Sequence, residues 1–122
     1  MKVLIIDDDK FIQAIYKSGF VQEQIEVELA KDGEEGLEKA KKYAPDIVLL
    51  DMILPKKDGF EFLEEAKKDP LLKKIPIVIF SALSQQTDID KALELGALKY
   101  MPKDSYMPNQ IIGEVKKILF KK

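Results

Sequence analysis

The segment Ile47-Val48-Leu49-Leu50-Asp51-Met52-Ile53-Leu54-Pro55-Lys56-Lys57-Asp58-Gly59 decides how this 122-residue chain is read. Four consecutive apolar residues read as a strand covered by helices on both faces. That strand ends on a carboxylate, Asp51, which caps no helix. A charge at the end of a buried strand is costly unless a cation or hydrogen-bond donors meet it. Pro55 then turns the chain, and Asp58 with Glu61 three residues on forms a capping pair for a helix over 59–68.

The same alternation extends in both directions. Further β-branched or Leu-rich runs lie at Val3–Ile6, Ile25–Leu29, Ile75–Phe80 and Ala97–Met101. Helical spacing fills 9–20, 33–43 and 86–95, and a last helix carries Ile111, Ile112, Val115, Ile118 and Leu119 on one face. Asp32 with Glu35 caps the second helix, Ser84 or Thr87 the fourth, and Gly96 stops the fourth. Strand two alternates Ile25, Val27 and Leu29 with Glu26 and Glu28, so part of it is wet. Strand five ends near Pro102, which donates no ladder hydrogen bond and suits an edge. Strands one, three and four are therefore central. The fold class expected is α/β: a five-stranded parallel sheet in the flavodoxin-like order 2-1-3-4-5, with helices on both faces.

Composition narrows the chemistry. The net charge is −2, all twenty basic residues are Lys, and there is no Cys or His. Thiol catalysis, zinc-finger chemistry, haem ligation and a Ser-His-Asp triad are therefore excluded within the chain. A mildly acidic chain without Arg is a poor nucleic-acid binder, so no direct nucleic-acid partner is expected. The apolar runs are too short to span a bilayer or to form a signal-peptide core, so neither membrane insertion nor export is expected and the location reads as cytoplasmic. Residues 1–122 read as a single domain with no output domain.

Ligands of such a sheet sit outside the carboxyl ends of its strands. Strand one ends in Asp7-Asp8-Asp9, strand three in Asp51, strand four in Ser81-Ala82 and strand five in Lys103. Each has an ordinary explanation alone: Asp8 or Asp9 can cap the first helix, Ser81 can be a turn residue, and Lys103 can be a solvated charge. Their convergence on one rim is what points to chemistry. Clustered carboxylates repel each other unless a divalent cation or an ammonium joins them. Oxygen-only ligands on an open rim suit Mg²⁺, with Mn²⁺ also possible. A carboxylate nucleophile, Mg²⁺, Lys and a hydroxyl together make a phosphoryl-transfer site.

These residues resemble the response-regulator receiver domain of two-component signalling, over essentially the whole chain. Leu4-Ile5-Ile6-Asp7-Asp8-Asp9 is similar to the family's acidic pair after strand one, and the stretch from Asp51 to Gly59 to its phosphoacceptor and the Pro-x-x-Asp-Gly loop. The resemblance implies that Asp51 is phosphorylated and that Asp8, Asp51 and the Ile53 carbonyl hold the metal, with Asp7 acting through a metal-bound water. It assigns Ser81 and Lys103 to the phosphoryl group, and Tyr100 to a switch in which the ring moves inward. It further implies phosphoryl transfer from the histidine of a sensor kinase or phosphotransfer protein. The readout surface for a downstream protein would be the fourth helix, fifth strand and fifth helix. Such a module is no enzyme toward other substrates; it catalyses only its own phosphorylation and slow dephosphorylation. The family usually places Pro after the Lys, whereas here Asp104 follows and Pro102 precedes, so the loop is expected to take a trans path with an additional acid beside the site.

Two further expectations come from apolar residues. Ile53 and Leu83 occupy positions that flank the path of the hydrolytic water in receivers, and neither can orient a water or move a proton. The acyl phosphate is therefore expected to be long-lived. Phe11, Ile12, Ile15, Tyr16 and Phe20 exceed one buried helical stripe; core packing accounts for most of the set, and the resemblance implies that part of it docks a histidine-bearing helix. Two rival readings are weighed. A small haloacid-dehalogenase-like phosphatase would use Asp7 and Asp9, but the Pro-x-x-Asp-Gly loop would then have no purpose. A flavodoxin-like cofactor binder needs a first loop rich in Ser, Thr and Gly, where three aspartates would repel a phosphate.

Overall fold

In the computed structural model, which describes residues 1–121, five parallel strands form one sheet: β1 (Lys2–Ile6), β2 (Glu26–Ala30), β3 (Ile47–Leu50), β4 (Ile77–Ser81) and β5 (Lys99–Pro102). Their order is β2-β1-β3-β4-β5, as the distribution of apolar and mixed strands predicts. The connecting helices are α1 (Lys10–Gln22), α2 (Gly33–Tyr43), α3 (Gly59–Lys68), α4 (Gln86–Glu94) and α5 (Pro108–Leu119).

Strand alternation divides the core into two layers. Leu4, Ile6, Val48, Leu50 and Ile79 face α2 and α3 through Leu37, Phe62 and Leu63. Val3, Ile5, Leu49, Val78 and Phe80 face α1 and α5 through Tyr16, Phe20, Ile111 and Val115. Each fully buried Leu, Ile or Phe contributes about 1.5–3 kcal/mol relative to exposure, so the three central strands carry most of the fold.

Helix ends follow local chemistry. The Asp32 carboxylate accepts from the Glu35 N–H at 2.7 Å and starts α2. Asp58 accepts from the Glu61 N–H at 2.9 Å and starts α3. Ala44 in the left-handed region (φ 46°) ends α2, and Gly96 (φ 109°) follows α4. The expected cap on α4 is a correction. Gln85 holds that position and makes no side-chain capping bond, because Ser84 lies before it and Thr87 already lies inside the first turn. Among its residues α4 buries only Ala92.

Three strand boundaries also differ from the expected runs, each for a hydrogen-bonding reason. The N–H of Ile25 donates to Phe20 in the closing turn of α1, that of Ile75 to Leu72, and that of Ala97 to Ala92 in the turn that ends α4. Those three residues finish turns, and the ladders begin one or two residues later.

Candidate functional site

Strand register builds the rim. Ile6 pairs with Ala30 on one side and with Leu50 on the other, so Asp7 and Asp51 leave the sheet side by side. The ladder runs one residue further through both: the Asp7 N–H donates to the Ala30 carbonyl at 3.0 Å and the Asp51 N–H to the Ile6 carbonyl at 2.9 Å. Ser81 pairs with Pro102, and the Lys103 N–H donates to the Ser81 carbonyl at 2.8 Å. Main-chain bonds thus bring together four residues far apart in sequence.

Charge balance at the rim is local. Lys103 Nζ donates to Asp7 Oδ2 at 2.8 Å and to Asp51 Oδ2 at 3.4 Å. Asp7 is wholly buried, Asp51 nearly so and Asp8 exposed. The second oxygen of each buried acid takes a main-chain N–H: Asp9 donates to Asp7 Oδ1 at 2.8 Å and Ile53 to Asp51 Oδ1 at 3.2 Å. Burial pushes the Asp7 carboxyl above its ordinary range, the Asp51 charge adds to the rise, and Lys103 and the Asp9 N–H oppose it. Asp7, Asp8 and Asp51 each offer one carboxylate oxygen, all within 4.8 Å of one another. One ammonium does not balance three carboxylates. This oxygen-only set, open to solvent through Asp8, fits a hard divalent cation.

The loop beyond Asp51 is pinned by two glycines. The Gly59 N–H donates to the Met52 carbonyl at 3.0 Å and the Gly33 N–H to Lys57 at 3.1 Å. A Cβ on Gly59 would lie 2.6 Å from Met52 Cα, and one on Gly33 would lie 2.2 Å from the Lys57 carbonyl oxygen. Only a bare Cα permits either approach.

On the far side of the rim, Leu83 joins two of the residues singled out in the sequence. Its N–H donates to the buried Ser81 hydroxyl oxygen at 3.2 Å, and its carbonyl accepts from the Tyr100 hydroxyl at 2.5 Å. Tyr100 is half-buried against the α2–α3 layer. Desolvation pushes its phenol up to about 12, opposed in part by the Ser81 hydroxyl. Tyr100 therefore already rests on the loop that carries Ser81.

Other expected positions sort differently. Asp9 accepts from the N–H groups of Phe11 and Ile12 at 2.8 and 3.3 Å and caps α1, so it stands outside the carboxylate cluster. No peptide bond among the described residues is cis, in keeping with the trans path expected beyond Lys103. Asp104 is exposed and accepts from the Ser105 hydroxyl at 3.3 Å; among the described residues, the acids that Lys103 meets are Asp7 and Asp51. Tyr16 and Phe20 of α1 are core, whereas Phe11 is 84% and Ile15 48% exposed. Ile53 is also exposed, and Leu83 is half-buried.

Two residues with roles here have no signal in the sequence. Gln13 Nε2 donates to the Asp7 and Ala30 carbonyls at 2.7 and 3.1 Å, clamping the ends of β1 and β2. Phe80, an ordinary core residue by pattern, lies with its ring under Lys103 Nζ, 4.6 Å from the centroid.

Tyr16 beneath the site gives a measurable consequence. Burial, and secondarily the Asp7 charge, push its phenol up to about 12. A raised folded value means that the folded protein keeps a proton the unfolded chain releases near pH 10. The stabilisation is complete below pH 10 and is lost as pH rises from 10 through 12. Between pH 9 and pH 11 this group alone costs about 1 kcal/mol. Denaturant midpoints at the two pH values should fall less steeply in Tyr16→Phe than in the parent protein; equal slopes would refute the assignment.

The family model of the response regulator receiver domain matches residues 3–116. The alkaline phosphatase synthesis transcriptional regulatory protein PhoP of Bacillus subtilis is 36% identical over 118 residues, which is 97% of this chain and 48% of that protein. The chain thus spans about half, or less, of the length of the curated relatives it matches. Among solved structures, the receiver domain of a Francisella response regulator superposes with a TM-score of 0.88 at 31% identity, covering 98% of this chain and 96% of that one. A phosphorylated cyanobacterial phytochrome response regulator superposes with a TM-score of 0.84 at 31% identity, covering 98% and 94%. These matches, together with the capping role of Asp9, disfavour the phosphatase alternative.

Proposed function

This chain belongs to the response regulator receiver domain family of two-component signalling, and we propose that Asp51 is its phosphoacceptor. The observation that carries the reading is the placement of Lys103 Nζ between the carboxylates of Asp7 and Asp51 at the carboxyl end of a parallel sheet. Transfer is a displacement at phosphorus. An Asp51 oxygen forms the new P–O bond while the bond from phosphorus to the donor's imidazole nitrogen breaks, and the electron pair stays with the imidazole. Since the chain has no His, that imidazole belongs to a sensor kinase or phosphotransfer protein.

Each residue has a share in this step. Lys103 neutralises charge on the phosphoryl oxygens. The Ile53 N–H orients the Asp51 carboxylate before attack. Asp8, Asp51 and the Ile53 carbonyl are the proposed ligands of Mg²⁺ (or Mn²⁺), with Asp7 acting through a bound water. The ion, when bound, screens the negative charges that the nucleophile and the phosphoryl group bring together. Ser81 would donate to a phosphoryl oxygen and release its bond from Leu83, carrying the loop and Tyr100 with it. That couples chemistry to the surface of α4, β5 and α5 through contacts only one arrangement makes. The weak anchoring of α4, uncapped by any side chain and burying one residue, suits it to move.

The partners proposed are the phosphohistidine protein and a downstream protein target, with a cytoplasmic location. No helix among the described residues is long and apolar enough to cross a membrane. Incubation with Mg²⁺ and phosphoramidate, followed by intact mass, tests the reading. A gain of one phosphoryl group that is labile to hydroxylamine supports it, and no gain over a range of donor concentrations refutes it.

The apolar pair flanking the site sets the lifetime. With Ile53 exposed and Leu83 half-buried, neither side chain has a group to align water against the acyl phosphate. The double variant Ile53→Asn/Leu83→Glu should shorten the phosphoryl half-life at least about tenfold, less than the ~10²-fold or more of a fully aligned acid or base, because the new groups enter a site not built around them. Decay followed by mass after donor removal reads this directly, and an unchanged half-life would mean that the two side chains only pack.

A further inference from the structure

Lys103 meets a third group besides its two acids. Its Nζ stands over the Phe80 ring, 4.6 Å from the centroid, and that ring is wholly buried. Tyr16 packs perpendicular to it, with centroids 4.9 Å apart and an interplanar angle of 84°, and is itself 2% exposed. The ring therefore belongs to the rigid core between the sheet and α1. The lysine side chain above it has a flexible stem and 23% exposure.

A flexible ammonium placed only by carboxylates follows whichever carboxylate pulls harder, and here that is Asp7, at 2.8 Å against 3.4 Å. An aromatic face adds a fixed attraction that uses none of the three N–H donors. It holds the ammonium beside Asp51 and leaves a donor for an incoming phosphoryl oxygen. We propose that Phe80, braced by Tyr16, is a positioning residue for phosphoryl transfer, fixing Lys103 through a cation–π contact. The proposal rests on Asp51 being the phosphoacceptor. It separates two duties that core packing would merge: the ring meets the site through the Lys103 ammonium, which is not among the carboxylates that could hold a cation, so its loss should slow transfer without weakening Mg²⁺ binding.

The test combines a signature of position with a rate. In the parent protein the ε-methylene protons of Lys103 should be shifted upfield by the ring current, and in Phe80→Leu they should return to ordinary values. Phosphorylation by phosphoramidate at saturating Mg²⁺ should slow about tenfold, within the range of a partly desolvated cation–π contact, while the Mg²⁺ dissociation constant stays within twofold. In a Lys103→Met background, Phe80→Leu should cause no further slowing. If Phe80→Leu does not fold, incorporation of 3,5-difluorophenylalanine at position 80 preserves shape while weakening the ring's negative face, and should slow transfer by itself. An unchanged rate, an unshifted methylene signal in the parent, or slowing that multiplies with that of Lys103→Met would each overturn the proposal. A parent protein that takes no phosphoryl group at all would instead remove the phosphoacceptor reading, and the methylene signal would still decide whether the ring holds the lysine.

Discussion

Replacing Asp51 with asparagine is expected to abolish phosphorylation while making the protein more stable. The amide cannot attack phosphorus, so the mass gain seen with Mg²⁺ and phosphoramidate should vanish rather than diminish. Asn preserves the local structure, since its Oδ1 still accepts from the Ile53 N–H as Asp51 does at 3.2 Å. What it removes is one of three carboxylates whose oxygens lie within 4.8 Å of one another. The amide nitrogen then replaces the oxygen that Lys103 meets at 3.4 Å and gives it no acceptor, but the ammonium keeps its shorter bond to Asp7 at 2.8 Å and is not stranded. Without divalent cation the denaturant midpoint should rise, by about 1 kcal/mol in stability, as for other sites where function holds like charges together. Mg²⁺ should bind much more weakly to the variant. Residual phosphorylation at the parent's level would show that another residue is the acceptor, and a loss of stability would show that the cluster is not under electrostatic tension.

Lys103→Met should have the opposite effect on stability, and should slow the chemistry severely without abolishing it. Methionine matches the length of the stem but carries no charge, leaving wholly buried Asp7 and nearly buried Asp51 without their shared cation. Removing one partner of a buried ion pair costs about 3–5 kcal/mol; with Lys103 partly exposed, a value near the low end is expected. Loss of a single stabilising donor at a transferring group slows comparable steps about 10²–10³-fold, and the phosphoryl-transfer rate should fall by that order. Because Mg²⁺ is then the remaining cation able to meet the carboxylates, it should stabilise Lys103→Met more than the parent protein, as read from denaturation at matched Mg²⁺ concentrations. Equal stabilisation of the two proteins would separate the ammonium from the metal-binding acids and undo this account of the site.

These expectations draw on residues of differing legibility. Asp51 stands out in the chain because a fully apolar run stops on a charge, and burial makes such a stop expensive. Ser81 and Lys103 are visible only after the strands are placed, since each is ordinary alone. Asp9 shows the limit of reading a motif literally: three consecutive aspartates share a type, yet Asp7 faces Lys103, Asp8 faces solvent, and Asp9 closes α1 through two main-chain N–H groups. The surplus of aromatic and aliphatic residues on α1 is resolved in the same way. Tyr16 and Phe20 enter the core, and Phe11 and Ile15 remain exposed, so helical position rather than residue type decides which of them pack.

The strand and helix pattern, the strand order and the set of acids at the strand ends follow from local facts about the chain: the period of its apolar residues, its caps, and the restricted handedness of β-α-β connections. Such facts need no knowledge of distant neighbours. The contacts of Lys103 with Phe80, of Gln13 with two carbonyls, and of Tyr100 with Leu83 needed the folded molecule. Each joins residues on different elements at distances set by register and side-chain direction, and a single chain read end to end contains no signal of either. The missing cap on α4 and the late starts of β2, β4 and β5 belong to the same class, because turn hydrogen bonds at Ile25, Ile75 and Ala97 compete with ladder pairing and win by geometry that composition does not reveal. Periodicity could specify which residues reach the rim; only packing decided which of them carry charge together, which hold a helix, and which face the lysine.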